Sequence, residues 1–97
     1  MTYENISQEQ AKALINTGAN IIDIRDKASF DTAHIAGALH ISNENIQDFI
    51  RDNDLDKPLV VYCYHGHSSQ HAANFLHEQG FEKVYSLLGG YTQWQES

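Results

Sequence analysis

The chain has 97 residues, the size of one small domain and too short to divide into two parts that each bury a core. Hydrophobic residues make up 41% and charged residues 20% of the sequence, which excludes a disordered or fibrous protein. The formal net charge is −7, with six Lys and Arg against thirteen Asp and Glu and no basic cluster. We therefore expect no binding to nucleic acid or to an anionic membrane surface.

The cysteine content and the hydropathy pattern predict the compartment. Cys63 is the only cysteine, so an internal disulfide cannot form, as is typical of proteins in a reducing environment. The first eight residues lack the basic and apolar regions of a signal peptide. The longest apolar run, residues 59–64, is far shorter than the roughly 20 residues that span a bilayer. These features predict a cytoplasmic protein.

The first part of the chain predicts a helix between two strands. Residues 3–6 form a weak β-rich run and residues 21–24 a stronger one. Between them, three apolar residues at i, i+3 and i+4 spacing predict one face of a helix. They are Ala11, Leu14 and Ile15. Ser7 and Gln10 form a capping-box pattern before this helix, and Gly18 predicts its end.

The middle of the chain predicts a weak strand at residues 38–41 and a second helix, with Ser42 as its N-cap. The apolar stripe of that helix repeats the same spacing at Ile46, Phe49 and Ile50. Residues 59–62 follow, an apolar run without polar alternation. Such a run is typical of the central strand of a parallel sheet that is covered on both faces.

The last part predicts a third helix that follows Ser68 and Ser69, and then a strand at residues 83–85. The apolar stripe of this helix is Ala72, Phe75 and Leu76, and Gly80 ends it. Strands that alternate with helices predict right-handed crossovers. The fold expected is therefore α/β, a single domain over residues 1–97 with a central parallel sheet flanked by helices on both faces.

The segment after residue 62 has the pattern of an anion-binding loop. Cys63 ends the predicted central strand, where α/β folds bind ligands. Gly66 permits a turn that directs successive N–H groups at one point, and residues 68–69 begin a helix whose first N–H groups have no helical partner. These dipoles would stabilise a thiolate, and protonated His65 and His67 would add positive charge.

Three other types of site use some of the residues in this segment. A metal site would use a thiolate and imidazoles, but its spacing differs from the paired cysteines common in structural zinc sites, so no metal is expected. The residues concerned are Cys63, His65, His67 and His71. A protease-like Cys–His pair is disfavoured because the imidazoles lie on the same tight loop. A phosphatase loop would place arginine six residues after the cysteine, where this chain has Ser69.

Three segments, in order and at fitting separations, resemble the signatures of the rhodanese family, and in particular its short GlpE-type members. The first consists of Ile22-Asp23-Ile24-Arg25, Phe30, His34-Ile35-Ala36-Gly37-Ala38 and His40-Ile41. The second is Cys63-Tyr64-His65-Gly66-His67-Ser68-Ser69, and the third is Gly89-Gly90-Tyr91 with Trp94. The chain departs from the family in two places. Ala33 stands where glycine often precedes the signature histidine, and the loop has His65 and His67 where many members have Arg or Lys.

The resemblance implies a single rhodanese-like domain and thiosulfate sulfurtransferase activity. The Cys63 thiolate would take the sulfane sulfur of thiosulfate as a persulfide, with no other cofactor, and pass it to cyanide or to a dithiol acceptor such as thioredoxin. The residues implied to hold the sulfur are Tyr64, His65, Gly66, His67, Ser68 and Ser69. An alternative is a persulfide carrier that delivers sulfur to a dedicated protein partner.

Several polar and aromatic residues outside the loop are expected to be structural. Asp23 and Arg25 should form hydrogen bonds and ion pairs, because charged groups at strand ends usually do. His34 and His40 should bond to the backbone or to Asp23. Tyr91 and Trp94 should close one end of the core, a common place for large aromatic side chains.

Overall fold

The computed structural model describes residues 3–94, which form a five-stranded parallel sheet and five helices. In chain order the elements are β1 (Glu4–Ile6), α1 (Gln8–Asn16), β2 (Asn20–Asp23), α2 (Lys27–Thr32), β3 (Leu39–His40), α3 (Ile46–Asp52), β4 (Leu59–Tyr62), α4 (Ser68–Glu78), β5 (Val84–Leu87) and α5 (Gly90–Gln93). The strand order is β1-β5-β4-β2-β3, and every neighbouring pair is parallel. The predicted domain, residues 1–97, extends beyond the described residues at both ends, and Met1 and Thr2 of the signal-peptide prediction also lie outside them.

The central strand β4 divides the core into two layers. All four of its residues are fully buried, as the sequence predicted. Leu59 and Val61 face a cluster that includes Phe49 of α3 and Leu76 of α4. The alternate residues of β4, Val60 and Tyr62, face a second cluster, built with Ile6, Ala11 and Leu87. Helices therefore cover both faces of the sheet, which confirms the predicted architecture.

Local sequence signals account for the start of α1. The Ser7 hydroxyl accepts a hydrogen bond from Gln10 N at 3.2 Å, and the Gln10 side chain accepts one from Ser7 N at 2.9 Å. This reciprocal pair is the predicted capping box. Gly18, with φ +99°, turns the chain away after the helix.

Two predictions about helices were wrong in detail. Asn45, and not Ser42, is the N-cap of α3. The Ser42 carbonyl instead accepts hydrogen bonds from the N–H groups of Asn45 and Ile46, so this serine begins the turn that leads into the helix. In α4 the fully buried residues are Ser69, Ala73 and Leu76, whereas Ala72 and Phe75 are only partly buried. The buried face is thus rotated from the predicted stripe.

Two short helices, α2 and α5, were not predicted. Asp26 caps α2 by accepting a hydrogen bond from Ser29 N at 3.0 Å. Neither helix is long enough to show an apolar repeat, which is why the hydropathy pattern misses both. Within residues 3–94, no helix has the length and apolar character needed to cross a membrane.

Candidate active site

Cys63 lies directly after β4, and its side chain is enclosed by the loop that leads into α4. The residue is 5% exposed. Its Sγ accepts hydrogen bonds from Gly66 N at 3.2 Å and from Ser69 N at 3.3 Å. Gly66 has φ +94°, a conformation that glycine adopts at little cost. Ser69 is in the first turn of α4, so its N–H has no helical acceptor and is available to the sulfur.

These hydrogen bonds determine the ionisation of the thiol. Burial raises the pKa of Cys63, because it removes water from the charged form. The hydrogen bonds from Ser69, Gly66 and the His65 backbone lower it by more, so the pKa lies below its ordinary value. A lowered pKa increases the thiolate fraction near neutral pH, and the thiolate is the nucleophilic form.

Two buried hydroxyl groups extend the contacts of the sulfur into the core. Ser69 Oγ lies 3.4 Å from Cys63 Sγ, and Ser86 Oγ of β5 lies 2.7 Å from Ser69 Oγ. Both serines are fully buried. Ser86 was not identified from the sequence, because one serine in a β-rich run carries no recognisable motif.

The short helix α5 holds the backbone of the loop through three hydrogen bonds. Tyr91 N donates to Cys63 O at 2.8 Å, and Thr92 N donates to Tyr64 O at 3.0 Å. Thr92 Oγ1 also donates to Tyr64 O, at 2.9 Å. A Cβ atom on Gly90 would lie 2.4 Å from Tyr64 O, so only glycine permits this approach. Thr92 was not predicted either.

The remaining loop residues form the rim of the site. Tyr64 is 40% exposed, and its hydroxyl group hydrogen-bonds to the Asp26 carboxylate and the Ser29 hydroxyl at the start of α2. The His65 ring nitrogen Nδ1 lies 3.4 Å from Thr92 Oγ1. His67 is the N-cap of α4, and Ser68 is the first residue of that helix.

The buried pair Asp23 and Arg25 supports the site from β2. Arg25 Nη2 donates to Asp23 Oδ2 at 2.7 Å and to Ala33 O at 2.6 Å, and both charged side chains are almost fully buried. The guanidinium carbon lies 4.2 Å from the ring centroid of Tyr91 and 5.6 Å from that of Tyr64. The hydrogen bonds and the ion pair predicted for these two residues are both present.

Two histidines that follow Arg25 in the chain, His34 and His40, contact backbone groups. His40 Nε2 is 2.6 Å from Arg25 O, and His34 Nδ1 is 2.8 Å from Phe30 O. Tyr91 and Trp94 pack against the second core cluster, as predicted. Among residues 3–94, no three His, Cys, Asp or Glu side chains are grouped so that they could hold a metal ion.

Known proteins are similar to this chain in sequence and in fold. The Rhodanese-like domain family matches residues 7–97. The chain is 53% identical over 95 residues to thiosulfate sulfurtransferase GlpE of Stutzerimonas stutzeri, across 98% of this chain and 87% of that protein. It is 52% identical over 94 residues to the protein of the same name from Pseudomonas aeruginosa strain LESB58, across 97% and 86%.

A solved structure has the same architecture. The crystal structure of a rhodanese-like domain protein from Staphylococcus aureus matches with a TM-score of 0.81, over 97% of this chain and 93% of that one. Its identity of 20% means that this likeness concerns the fold. The family match and the curated relatives each span nearly the whole chain, and they confirm the resemblance seen in the three motifs. The chain belongs to the rhodanese family.

Proposed function

We propose that this protein is a thiosulfate sulfurtransferase in which Cys63 is the nucleophile. One observation carries the assignment of the site: two backbone N–H groups and one buried hydroxyl group converge on the sulfur of the chain's only cysteine. The names of relatives that are about half identical over almost the full chain support the reaction. The loop residues proposed to hold the transferred sulfur are Tyr64, His65, Gly66, His67, Ser68 and Ser69.

In the first step, the Cys63 thiolate attacks the outer sulfur of thiosulfate. A bond forms between Sγ and that sulfur, while the sulfur–sulfur bond of thiosulfate breaks and sulfite leaves with the electron pair. The product is a cysteine persulfide, whose terminal sulfur is anionic. The loop amides suit this anion because they supply positive dipoles without a cationic side chain. Such local dipoles are needed in a protein with a net charge of −7.

In the second step, an acceptor takes the outer sulfur and restores the thiolate. Cyanide would attack that sulfur and leave as thiocyanate. A dithiol such as thioredoxin would instead take the sulfur on one thiolate, and its second thiolate would then release hydrosulfide and close a disulfide. The electrons for that release come from the dithiol, so the scheme requires no cofactor besides the covalent persulfide.

The compartment is part of the same proposal. A nucleophilic thiol must stay reduced between turnovers, and the cytoplasm keeps thiols reduced. We propose a cytoplasmic enzyme on this ground.

Replacement of the nucleophile tests the proposal directly. Cys63→Ser should abolish sulfite release from thiosulfate, because an alcohol of ordinary pKa does not ionise at neutral pH, while the circular-dichroism spectrum stays that of the wild type. Mass spectrometry of wild-type protein after thiosulfate exposure should show an adduct of about 32 Da, one sulfur atom, on the peptide that contains Cys63. Sulfite release by the variant would refute the assignment.

A second candidate function, a persulfide carrier for a protein acceptor, is favoured by the apolar residues next to the loop. Tyr64 is 40% exposed and Leu88, which precedes the Gly89-Gly90 turn, is 52% exposed. A protein that covers these side chains would gain apolar contacts that cyanide cannot use. Persulfide loading with negligible turnover toward cyanide or dithiothreitol would favour this carrier over the enzyme.

A further inference from the structure

A chain of two buried hydroxyl groups ends at the Cys63 sulfur. Ser69 Oγ is 3.4 Å from Sγ, and Ser86 Oγ is 2.7 Å from Ser69 Oγ. Cys63 is 5% exposed and both serines are 0% exposed, so these groups must satisfy one another's hydrogen bonds. Ser86 lies inside β5, on a different element from the loop, and its hydroxyl group is linked to the sulfur by hydrogen bonds through Ser69.

The donor-to-acceptor direction of these two hydrogen bonds depends on the charge of the sulfur. A protonated thiol can donate to Ser69 Oγ, and Ser69 can then donate to Ser86. A thiolate can only accept, so the Ser69 hydroxyl must turn toward it, and its oxygen can then accept from Ser86. Each donor in such a row polarises the next, and this strengthens the bond to the charged end.

We propose that Ser86 is a positioning residue for the nucleophile: by donating to Ser69 Oγ, it keeps the Ser69 hydroxyl directed at the ionised sulfur of Cys63. The proposal rests on the proposed function only in that it takes Cys63 as the nucleophile. Ser86 acts on the sulfur through Ser69 and is therefore not a catalytic residue.

In the part of the chain that the structure describes, no charged or titratable side chain around the loop is hydrogen-bonded to the sulfur, whose partners are Gly66 N and the backbone and hydroxyl group of Ser69. On the loop, the His65 ring faces Thr92, and His67 occupies the N-cap position of α4 without a side-chain hydrogen bond to the helix. Between β2 and α2, Arg25 is paired with Asp23, and Asp26 is bonded to the Tyr64 hydroxyl. From α5, the Tyr91 ring lies against the Arg25 guanidinium. The hydrogen bonds that lower the pKa of Cys63 come from Ser69, Gly66 and His65, and the only side chain among these donors is that of Ser69.

The test measures the pKa of Cys63 from the pH dependence of its alkylation by iodoacetamide. The sole cysteine makes this signal specific. Ser86→Ala should raise the pKa by about 0.3 to 0.6 of a pH unit, because the Ser69 bond to the thiolate loses its polarising donor. Below that pKa the alkylation rate should fall by about two- to fourfold. In a Ser69→Ala background, Ser86→Ala should not shift the pKa of Cys63 further, because the Ser69 hydroxyl that links Ser86 to the sulfur is absent.

Val84→Ala is the matched control, since Val84 is buried on the same strand but belongs to a hydrophobic cluster. It should lower the melting temperature and leave the pKa of Cys63 unchanged. An unchanged pKa in Ser86→Ala, an equal shift with and without Ser69, or an equal shift in Val84→Ala would each overturn the proposal. Alkylation needs no turnover, so failure here is distinct from failure of the sulfurtransferase assignment, which the sulfite assay decides.

Discussion

The proton on Cys63 links the chemistry of the site to the stability of the fold. The folded protein holds the pKa of this thiol below its ordinary value, whereas the unfolded chain restores that value. At a pH below both values the thiol is protonated in both states and contributes nothing. As the pH rises through the folded pKa, the unfolded state binds more protons than the native state, so stability increases until the unfolded thiol also ionises.

Cys63→Ala should therefore change the pH dependence of stability. The difference in the free energy of unfolding between wild type and variant should grow in favour of the wild type as the pH rises through the lowered pKa of the folded thiol, and should level off above the ordinary thiol pKa of about 8.5. Urea unfolding at several pH values, with reductant present, measures this difference. A constant difference over the range would mean that the loop does not favour the thiolate.

At the level of residues, the sequence predicted those parts of the site that are contiguous in the chain. Cys63, Gly66 and Ser69 belong to one loop, so their spacing reveals the geometry of the amides. Ser86 and Thr92 reach the loop from β5 and α5, and a single serine or threonine there gives no local signal. Such contacts depend on strand order, which the sequence pattern leaves open.

Among the elements, α5 contributes to the site despite its four residues. Its first N–H groups and the Thr92 hydroxyl bond to the carbonyl groups of Cys63 and Tyr64, and this fixes the backbone from which the sulfur projects. The contact requires Gly90, whose φ is +60° and whose position leaves no room for a Cβ atom.

Gly90→Ala should impair catalysis more than stability alone explains. The added methyl group would displace the Tyr64 carbonyl, and a shift of the loop should lower kcat/KM for thiosulfate by about tenfold or more. Gly18→Ala is the control: its φ is +99° but nothing lies within 4 Å of the added Cβ, so it carries backbone strain only. It should keep kcat/KM within about twofold of wild type. Equal losses in the two variants would show that α5 does not position the loop.

The elements that the sequence predicted best are those with a complete local signal. α1 has both its capping box and its stop at Gly18, and β4 is an unbroken apolar run. The start of α3 was misassigned because Ser42 and Asn45 are both good capping residues three positions apart. Asn45 Oδ1 accepts from Ser42 N at 2.7 Å, a turn that only the structure reveals.

At the scale of the whole molecule, the two core clusters share one sheet. Ile21 and Ile22 are neighbours on β2 and are both buried, yet Ile21 belongs to the cluster under α1 and Ile22 to the cluster under α4. Each layer packs against the same strands, so neither face can lose its helices without exposing the sheet that supports the other. We expect one cooperative unfolding transition.

Ile21→Val and Ile22→Val form a matched pair for this expectation. Each should cost about 0.5 to 1.5 kcal/mol and lower the melting temperature by several degrees. Trp94, the only tryptophan, packs in the cluster of Ile21. Melting followed by its fluorescence and by far-ultraviolet circular dichroism should coincide in both variants. If Ile22→Val moved only the dichroism transition, the two layers would be independent.

The shortness of the outer strands has a consequence for contacts between molecules. β1 and β3 end the sheet on its two sides and contain only three and two residues. At roughly 3.3 Å per residue, they present rows of backbone groups of only about 10 Å and 7 Å. A strand from another chain would find few hydrogen-bonding partners there. The sheet is thus poorly suited to edge-to-edge growth into aggregates, although its interior strands are among the most apolar segments of the chain.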